Sequence, residues 1–389
     1  MQQLLTAGDK RDIMEKSPKD GSPTGNTPPY ESTQLTTKEH SHMDIITHNG
    51  DKVNVFGSNI PQSITEIMLQ DGQKWTMHKA SALKMAERLL KIHQYARGYR
   101  MQQCAQSIQM AVCGSCGHKH IINARLCRDR FCPVCGWRLS MRRFANMMQI
   151  VQGLREKYSE AEWQFVTLTV ENCRPKALSE TIDEMARAWN CIWSRRSTKK
   201  LPILGWARSL EITYNRKNMT FHPHYHVMIL WDDAYSPSEY EQKWLERAWM
   251  DTVKIRTVDD AQASSMVKSY GRQMVPSMYD QKDDEAEAVL SAVLETYKYS
   301  IKSVELQEMP LGVFEILDKL IKGRRMVAFG GAVKEYAKEI GLSSMEAMSA
   351  EDDTNEDPAI KRCASCKSVK LIEIVGKWTG DGYLWRRDM

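Results

Sequence analysis

No segment of this 389-residue chain approaches the roughly 18 consecutive apolar residues that a membrane-crossing helix requires. Its N-terminus, MQQLLTAGDKRDIMEK, lacks the apolar core of a secretory signal. There is little excess charge: 54 basic against 49 acidic residues leave +5, which permits contact with a polyanion without demanding it. There is no internal repeat. With 42% hydrophobic and 26% charged residues, collagen-like, coiled-coil and wholly disordered chains are excluded. The expectation is an intracellular, cytoplasmic protein of two to three structured units.

What is present is more specific. Ten cysteines in a reducing compartment are not expected to form disulfides, and six of them fall in C-x-x-C pairs (CGSC, CPVC, CASC), which points to metal. Eleven tryptophans exceed average composition and are expected mostly as core or groove walls.

Periodicity divides the chain. Residues 1–60 read as a largely disordered leader, because Ser17 to Thr33 is rich in Ser, Pro, Gly and Thr and cannot bury enough surface to offset chain entropy. Residues 61–150 read as a helical and cysteine-rich, zinc-ribbon-like DNA-binding region. Leu83, Met85, Leu89, Leu90 and Ile92 mark an amphipathic helix within Lys79 to Gln109, and a basic helix begins near Trp137. Residues 151–345 form the main α+β region. Strands are predicted at Trp163 to Val170, Ala207 to Tyr214, Phe221 to Trp231, Val253 to Val258 and Arg325 to Phe329. Helices are predicted at Ser179 to Arg196, from Ser236 and over Glu285 to Lys302. That order suits an antiparallel sheet flanked by helices. Residues 346–389 read as an acidic linker (Glu351 to Asp357) and a small β-rich tail.

Histidine is scarce, ten in all, yet three fall within five positions in Phe221-His222-Pro223-His224-Tyr225-His226. Alternation along a strand sends all three imidazoles to one side. Two imidazoles plus a carboxylate hold Mg²⁺, Mn²⁺ or Zn²⁺, with phosphate chemistry favouring Mg²⁺ or Mn²⁺. Glu211, charged among apolar neighbours on the preceding strand, offers the carboxylate, since a charge placed there is costly unless paired or bound to metal.

On the helix predicted over Glu285 to Lys302, Glu295, Tyr299 and Lys302 share one face. A phenol beside a metal ion is a competent nucleophile toward phosphate, a lysine helps to neutralise charge, and a carboxylate one turn away takes a proton from the phenol or from water. Tyr297 points about 200° round the helix from Tyr299, so the two are not expected to serve one phosphate.

Cys113, Cys116, Cys132 and Cys135 form two C-x-x-C turns separated by fifteen residues, the pattern of one closed structural zinc site. His118 and His120 are weaker rival ligands, and Cys363 with Cys366 is half a site or none. Arg125, Arg128, Arg130, Arg138, Arg142 and Arg143 concentrate positive charge here, as a DNA contact or as a solvated face.

Three elements in this order, FVTLTV (Phe165 to Val170), HPHYH (His222 to His226) and E-x-x-K-Y-x-x-K (Glu295 to Lys302), resemble the motifs of HUH endonucleases. The resemblance is to rolling-circle plasmid replication initiators of the branch with one tyrosine and a catalytic glutamate. Tyr297 departs from the pattern as an added tyrosine. CRDRFCPVCGWR (Cys127 to Arg138) is similar to the cysteine-rich segment of those initiators, which brings in Cys127 as an alternative zinc ligand. The likeness spans roughly residues 104–335. It implies an HUH-like antiparallel sheet, a catalytic Mg²⁺ or Mn²⁺ on His224 and His226 with Glu211 or His222 as third ligand, and Tyr299 as nucleophile. Tyr299 would nick the plasmid origin, single-stranded or extruded, leaving a 5′-phosphotyrosine and a 3′-OH primer. Glu295 would activate water or assist transfer at termination, and Lys302 would help to neutralise charge. The partners implied are origin DNA, a host helicase and a DNA polymerase.

Two other readings use part of these features. An HUH relaxase or transposase shares the chemistry, but a relaxase usually carries its tyrosine ahead of the histidines, and small transposases lack the cysteine segment. A non-catalytic zinc-ribbon DNA-binding regulator leaves the histidine strand and the tyrosine helix unexplained.

Overall fold

The computed structural model describes residues 44–46, 52–54, 64–195, 198–232, 244–252, 267–274, 293, 296, 303–342, 362–363 and 366–387. A short antiparallel hairpin, β1 (Asp44–Ile46) and β2 (Lys52–Asn54), is followed by helices α1 (Ile64–Lys91) and α2 (Tyr95–Gln102). Then come β3 (Ser107–Cys113), β4 (Lys119–Ala124), α3 (Pro133–Lys157), β5 (Glu162–Thr169) and α4 (Leu178–Ser194). The central hairpin is β6 (Ile203–Asn215) and β7 (Thr220–Trp231), followed by α5 (Trp244–Thr252) and β8 (Val267–Met274). The last elements are α6 (Ser303–Glu308), α7 (Leu311–Ile321), β9 (Val327–Gly330), α8 (Gly331–Glu339), β10 (Leu371–Trp378) and β11 (Tyr383–Arg387).

The chain is α+β, as expected. Its main sheet is five-stranded and antiparallel throughout, in the order β8-β5-β7-β6-β9. The strands predicted near 163, 207, 221 and 325 are present. The amphipathic helix expected within Lys79 to Gln109 is present as the later part of α1, and the segment goes on as α2 and the start of β3. His93 breaks it, taking a left-handed φ of +62° while the amides of His93 and Gln94 return to the carbonyls of Leu90 and Leu89. Of the leader expected over residues 1–60, only β1 and β2 are among the described residues. The helix start at Ser236, the strand at Val253 to Val258 and the acidic run lie outside the described residues.

Two cores sandwich the sheet. On one face, Val166, Leu168, Leu210, Ile212, Tyr225, Val227 and Ile229 pack with Ile182, Met185 and Trp189 of α4 in a core that extends to Met85 and Leu89 of α1. Trp189 lies edge-on to Trp206, with ring centroids 4.8 Å apart, and Trp193 and Trp244 continue the aromatic cluster. The tryptophans among these are core, as composition suggested.

On the other face, Phe144, Met147, Val151 and Leu154 of α3, with Val333 and Ala337 of α8, cover Phe165, Ala207, Met228 and Leu230. The two helices approach closely at Gly153, where an added Cβ would lie 1.8 Å from the Tyr336 hydroxyl. Each large apolar side chain withdrawn from water here contributes about 1.5–3 kcal/mol. Beyond Phe165 and Met228 the same face turns polar: Thr167 and Thr169, Ser209, Glu211 and Thr213, then His226, His224 and His222.

A second, four-stranded antiparallel sheet runs β11-β10-β3-β4. The β-rich tail predicted at the C-terminus therefore completes a sheet begun before residue 113. Among the described residues no helix is long and apolar enough to cross a membrane.

Candidate functional site

The polar half of the sheet face is made by three adjacent strands in fixed register. Thr169 pairs with His224 and Thr167 with His226 across β5–β7, while Glu211 pairs with His224 and Ser209 with His226 across β6–β7. Directly paired residues project to the same side, so the ladder itself assembles the site. The tight turn between β6 and β7 holds that register: the Asn215 side-chain oxygen accepts from the amides of Lys217 and Asn218, and Met219 takes a φ of +51°.

Glu211, His224 and His226 converge, with ligand atoms within 4.8 Å of one another and all three residues buried. The Glu211 carboxylate oxygen lies 3.0 Å from Nε2 of His226 and 3.4 Å from Nε2 of His224. The outer nitrogens are also engaged. His226 Nδ1 is 3.2 Å from the Thr167 hydroxyl, and His224 Nδ1 is 3.2 Å from the carbonyl of His222. A carbonyl only accepts, so Nδ1 of His224 is the donor and a neutral ring turns its Nε2 lone pair toward the carboxylate. Two electron-rich atoms facing each other in a buried place are reconciled by a proton on the ring or by a metal cation between them. One carboxylate and two imidazoles, each held from behind by a hydrogen bond, fit a divalent metal ion.

His222 stands apart. Its Nε2 bonds to the Thr169 hydroxyl, and its ring lies 5.3 Å from that of His224. The geometry thus groups Glu211, and not His222, with the other two. Phe165 stacks on the His226 ring at 5.7 Å and 13°, closing the site on its apolar side.

Two further described residues lie at this face. Val293 and Thr296 are helical and buried, and Val293 joins the core under α3 and α8. The Ser209 hydroxyl donates to the Thr296 carbonyl, beside the rung it shares with His226. Glu295, Tyr297, Tyr299 and Lys302 lie outside the described residues.

The cysteines do not assemble as their spacing suggested. The four expected in one site, Cys113, Cys116, Cys132 and Cys135, divide between two quartets. Cys132 and Cys135 meet Cys104 and Cys127, with Cys104 Sγ 3.6 Å from both and Cys127 Sγ 3.7 Å from Cys135. Cys113 and Cys116 meet Cys363 and Cys366 instead. The physical reason is that a C-x-x-C turn fixes two thiols but leaves open which other turn it faces. Strand β3 carries Cys113 away from Cys132 and pairs it with the far end of the chain. Cys127 is therefore a member of its quartet rather than a substitute, and Cys104 was missed because no second cysteine lies near it in sequence. His118 and His120 belong to neither quartet.

The first quartet is prepared for thiolates. The amides of Arg128 and Cys127 donate to Sγ of Cys135 and Cys104, at 3.2 and 3.4 Å. Burial, and then bonds from the neighbouring thiols, push the Cys132 thiol well up, so it stays protonated unless a cation sits among the sulfurs. Lys79 of α1, fully buried, donates to the carbonyls of Gln102 and Cys104. Burial lowers its pKa, and the thiols of Cys104, Cys132 and Cys127 oppose that shift, placing a cation beside the sulfurs. Sulfurs on a tetrahedron with metal–sulfur bonds of about 2.3 Å lie about 3.8 Å apart, so the observed spacing fits zinc.

The arginines counted as a basic patch do other work in part. Arg143 is buried, Arg138 lies over the Trp75 ring, and Arg130 donates to the carbonyls of Ile321 and Arg324 at the end of α7. Arg125 and Arg128 are exposed.

A family model described as "Replication protein" matches residues 118–379, about two thirds of the chain. Among curated proteins, "Protein rep" of Lentilactobacillus hilgardii is 27% identical over 315 residues, covering 78% of this chain and 91% of the relative. "Protein rep" of Bacillus amyloliquefaciens is 28% identical over 314 residues, 75% of this chain and 90% of the relative. "Protein rep" of Streptococcus pneumoniae serotype 2 is 27% identical over 285 residues, 70% of this chain and 82% of the relative. No solved structure matches.

Proposed function

The chain belongs to the replication-protein family, and on that premise we propose that it initiates rolling-circle replication of a plasmid by nicking and rejoining DNA at the origin, as an enzyme of the HUH type with one catalytic tyrosine. The observation that carries this reading is the buried Glu211–His224–His226 cluster at the polar end of the sheet face, with Thr296 fastened to Ser209 beside it.

Glu211, His224 and His226 would hold a divalent ion, Mg²⁺ or Mn²⁺. When bound, that ion polarises the scissile phosphate and offsets the charge that develops on it. The reaction itself belongs to residues of the chain. The Tyr299 oxygen attacks phosphorus and loses its proton to a neighbouring base. The bond from phosphorus to the 3′ oxygen breaks, leaving a 5′-phosphotyrosine and a 3′-OH that primes synthesis. In the terminating round, Glu295 accepts a proton from water or from the attacking hydroxyl, and Lys302 helps to neutralise the phosphate. Tyr299 follows Thr296 by three positions, a span of at most about 11 Å. That reach is compatible with Tyr299 meeting a phosphate at the cluster, and the face it shares with Glu295 and Lys302 is what favours it over Tyr297.

The cysteine quartet of Cys104, Cys127, Cys132 and Cys135 would bind a structural zinc ion, closed by four thiolates and without an open position. Origin DNA, single-stranded or extruded, would be the substrate, and a host helicase and a DNA polymerase would follow the nick.

The test uses purified protein, Mn²⁺ and supercoiled DNA of the replicon that encodes it. Open circles and a DNA-linked peptide containing Tyr299 are expected, both lost in Tyr299→Phe and in His224→Ala. An adduct on Tyr297 would keep the reaction and move the nucleophile. Binding without cleavage under any divalent metal would overturn the enzyme and leave a zinc-ribbon DNA-binding regulator.

A further inference from the structure

The first and third C-x-x-C pairs lie far apart in the chain, Cys113 to Cys116 at the end of β3 and Cys363 to Cys366 before β10. They are built alike. In the first, the Gly117 amide donates to the Cys113 carbonyl at 2.8 Å and the Cys113 amide to the His118 carbonyl at 2.9 Å. In the second, the Lys367 amide donates to the Cys363 carbonyl at 2.9 Å and the Cys363 amide to the Ser368 carbonyl at 2.7 Å. The residue that closes each turn is left-handed, Gly117 at φ +69° and Lys367 at +59°. That conformation is ordinary for glycine and uncommon for lysine. The second turn adopts it nonetheless, with the same two backbone bonds.

The two turns face each other. Leu371 pairs with Cys113 in the β10–β3 ladder, the Gly114 amide donates to the Lys370 carbonyl at 2.8 Å, and the hydroxyls of Ser115 and Ser368 lie 2.9 Å apart. Between them, Cys113 Sγ is 3.5 Å from Cys366 Sγ and Cys116 Sγ is 3.6 Å from Cys363 Sγ, and all four sulfurs fall within 4.8 Å of one another. A disulfide brings sulfurs to about 2.05 Å. A tetrahedral thiolate site with bonds of about 2.3 Å sets them about 3.8 Å apart. The spacing is that of the metal site.

We propose that Cys113, Cys116, Cys363 and Cys366 bind a second zinc ion, separate from the one assigned to Cys104, Cys127, Cys132 and Cys135, and that this ion latches the β10–β11 hairpin onto β3. Four thiolates close the coordination, so the site is structural. Its ligands are 247 and 253 residues apart, and the chain between them carries the whole five-stranded sheet with the histidine cluster. The hairpin is also held by the Tyr383 hydroxyl, which donates to the Ala105 carbonyl, and by Trp385 against α1 at Gly72. Cys366 is exposed, which makes this the quartet open to chelators.

The experiment measures zinc per chain by mass spectrometry on full-length protein, together with N-ethylmaleimide labelling mapped to peptides. The double variant Cys363→Ser/Cys366→Ser should hold one zinc fewer than wild type, and in it Cys113 and Cys116 should become labelled while Cys104, Cys127, Cys132 and Cys135 stay protected. Cys191, partly exposed, should label in both proteins and serves as the internal control. Equal zinc in the two proteins overturns the proposal, and so does iron in place of zinc. Should the double variant fail to fold, the wild type decides alone. Cys113, Cys116, Cys363 and Cys366 should be protected together and become reactive together as pyridylazoresorcinol removes one zinc. Ready labelling of Cys366 in the zinc-loaded protein overturns the latch. Neither readout depends on DNA cleavage.

Discussion

Glu211 stands directly across the ladder from His224, yet its carboxylate lies nearer to His226, 3.0 Å against 3.4 Å. One oxygen thus faces both imidazoles, and the pair of contacts defines the centre of the cluster. A carboxylate buried this deeply costs several kcal/mol unless a cation compensates it.

Replacing Glu211 by Gln keeps the shape and removes the charge. Mn²⁺ affinity should fall at least tenfold, and metal-dependent nicking should be lost, while circular dichroism stays that of wild type. Calorimetric titration with Mn²⁺ decides the first point. Unchanged affinity would remove Glu211 from the ligand set.

Thr167 offers a different kind of change, because its hydroxyl meets the far nitrogen of His226 and, among the described residues, belongs to no candidate ligand set. Thr167→Val keeps the β-branched shape and removes the acceptor that orients the ring. Loss of such an outer partner typically lowers metal affinity 10–100-fold. The expected signature is weaker Mn²⁺ binding with unchanged affinity for origin DNA measured without metal. A parallel loss of metal-free DNA affinity would show a general structural role instead.

The parts of this site that were legible in the sequence are those governed by local periodicity. A strand alternates, so His222, His224 and His226 had to share a side, and the carboxylate set between apolar neighbours on the preceding strand had to be accounted for. What was not legible depends on which elements meet. The grouping of Cys113 and Cys116 with Cys363 and Cys366 rests on strand pairing across some 250 residues. Strand β8, VKSYGRQM, pairs with β5 at the end of the sheet, and its apolar residues do not alternate, so nothing in the sequence marks it as a strand. Arg130 reads as surface charge in sequence, and only the position of α7 turns it into a partner for helix-terminal carbonyls.

Arg97 joins three elements around the first cysteine quartet. Its guanidinium grips Asp129 through two nitrogens, at 2.7 and 3.2 Å, and both oxygens of Asp318, at 2.6 and 2.8 Å. Asp129 and Asp318 are each 8% exposed, so Arg97→Met strands two buried carboxylates. The loss should be about 3–5 kcal/mol, read as a lower urea midpoint. Arg97→Lys should rescue little of it, because an ammonium lacks the planar fork that spans both carboxylates. A midpoint unchanged in Arg97→Met would dismiss the bridge as a stabilising element.

His78 should set part of the acid limit of stability. It stacks on Trp137 at 4.7 Å and 16°, and burial, with the nearby Lys74 adding to it, lowers its pKa from 6.5 to about 4. The folded state therefore holds the ring neutral where the unfolded chain already binds a proton. Stability from this residue is full above pH 6.5 and is lost as pH falls from there towards 4. Between pH 7 and pH 5 the loss is about 2 kcal/mol. His78→Phe keeps a ring against Trp137 and removes the titration, so its denaturation midpoint should fall less between those pH values than that of wild type. Comparing the two proteins also separates this effect from acid release of any metal held by the cysteines, which would affect both. Parallel pH profiles would mean that His78 is protonated in the folded state as readily as in the unfolded one.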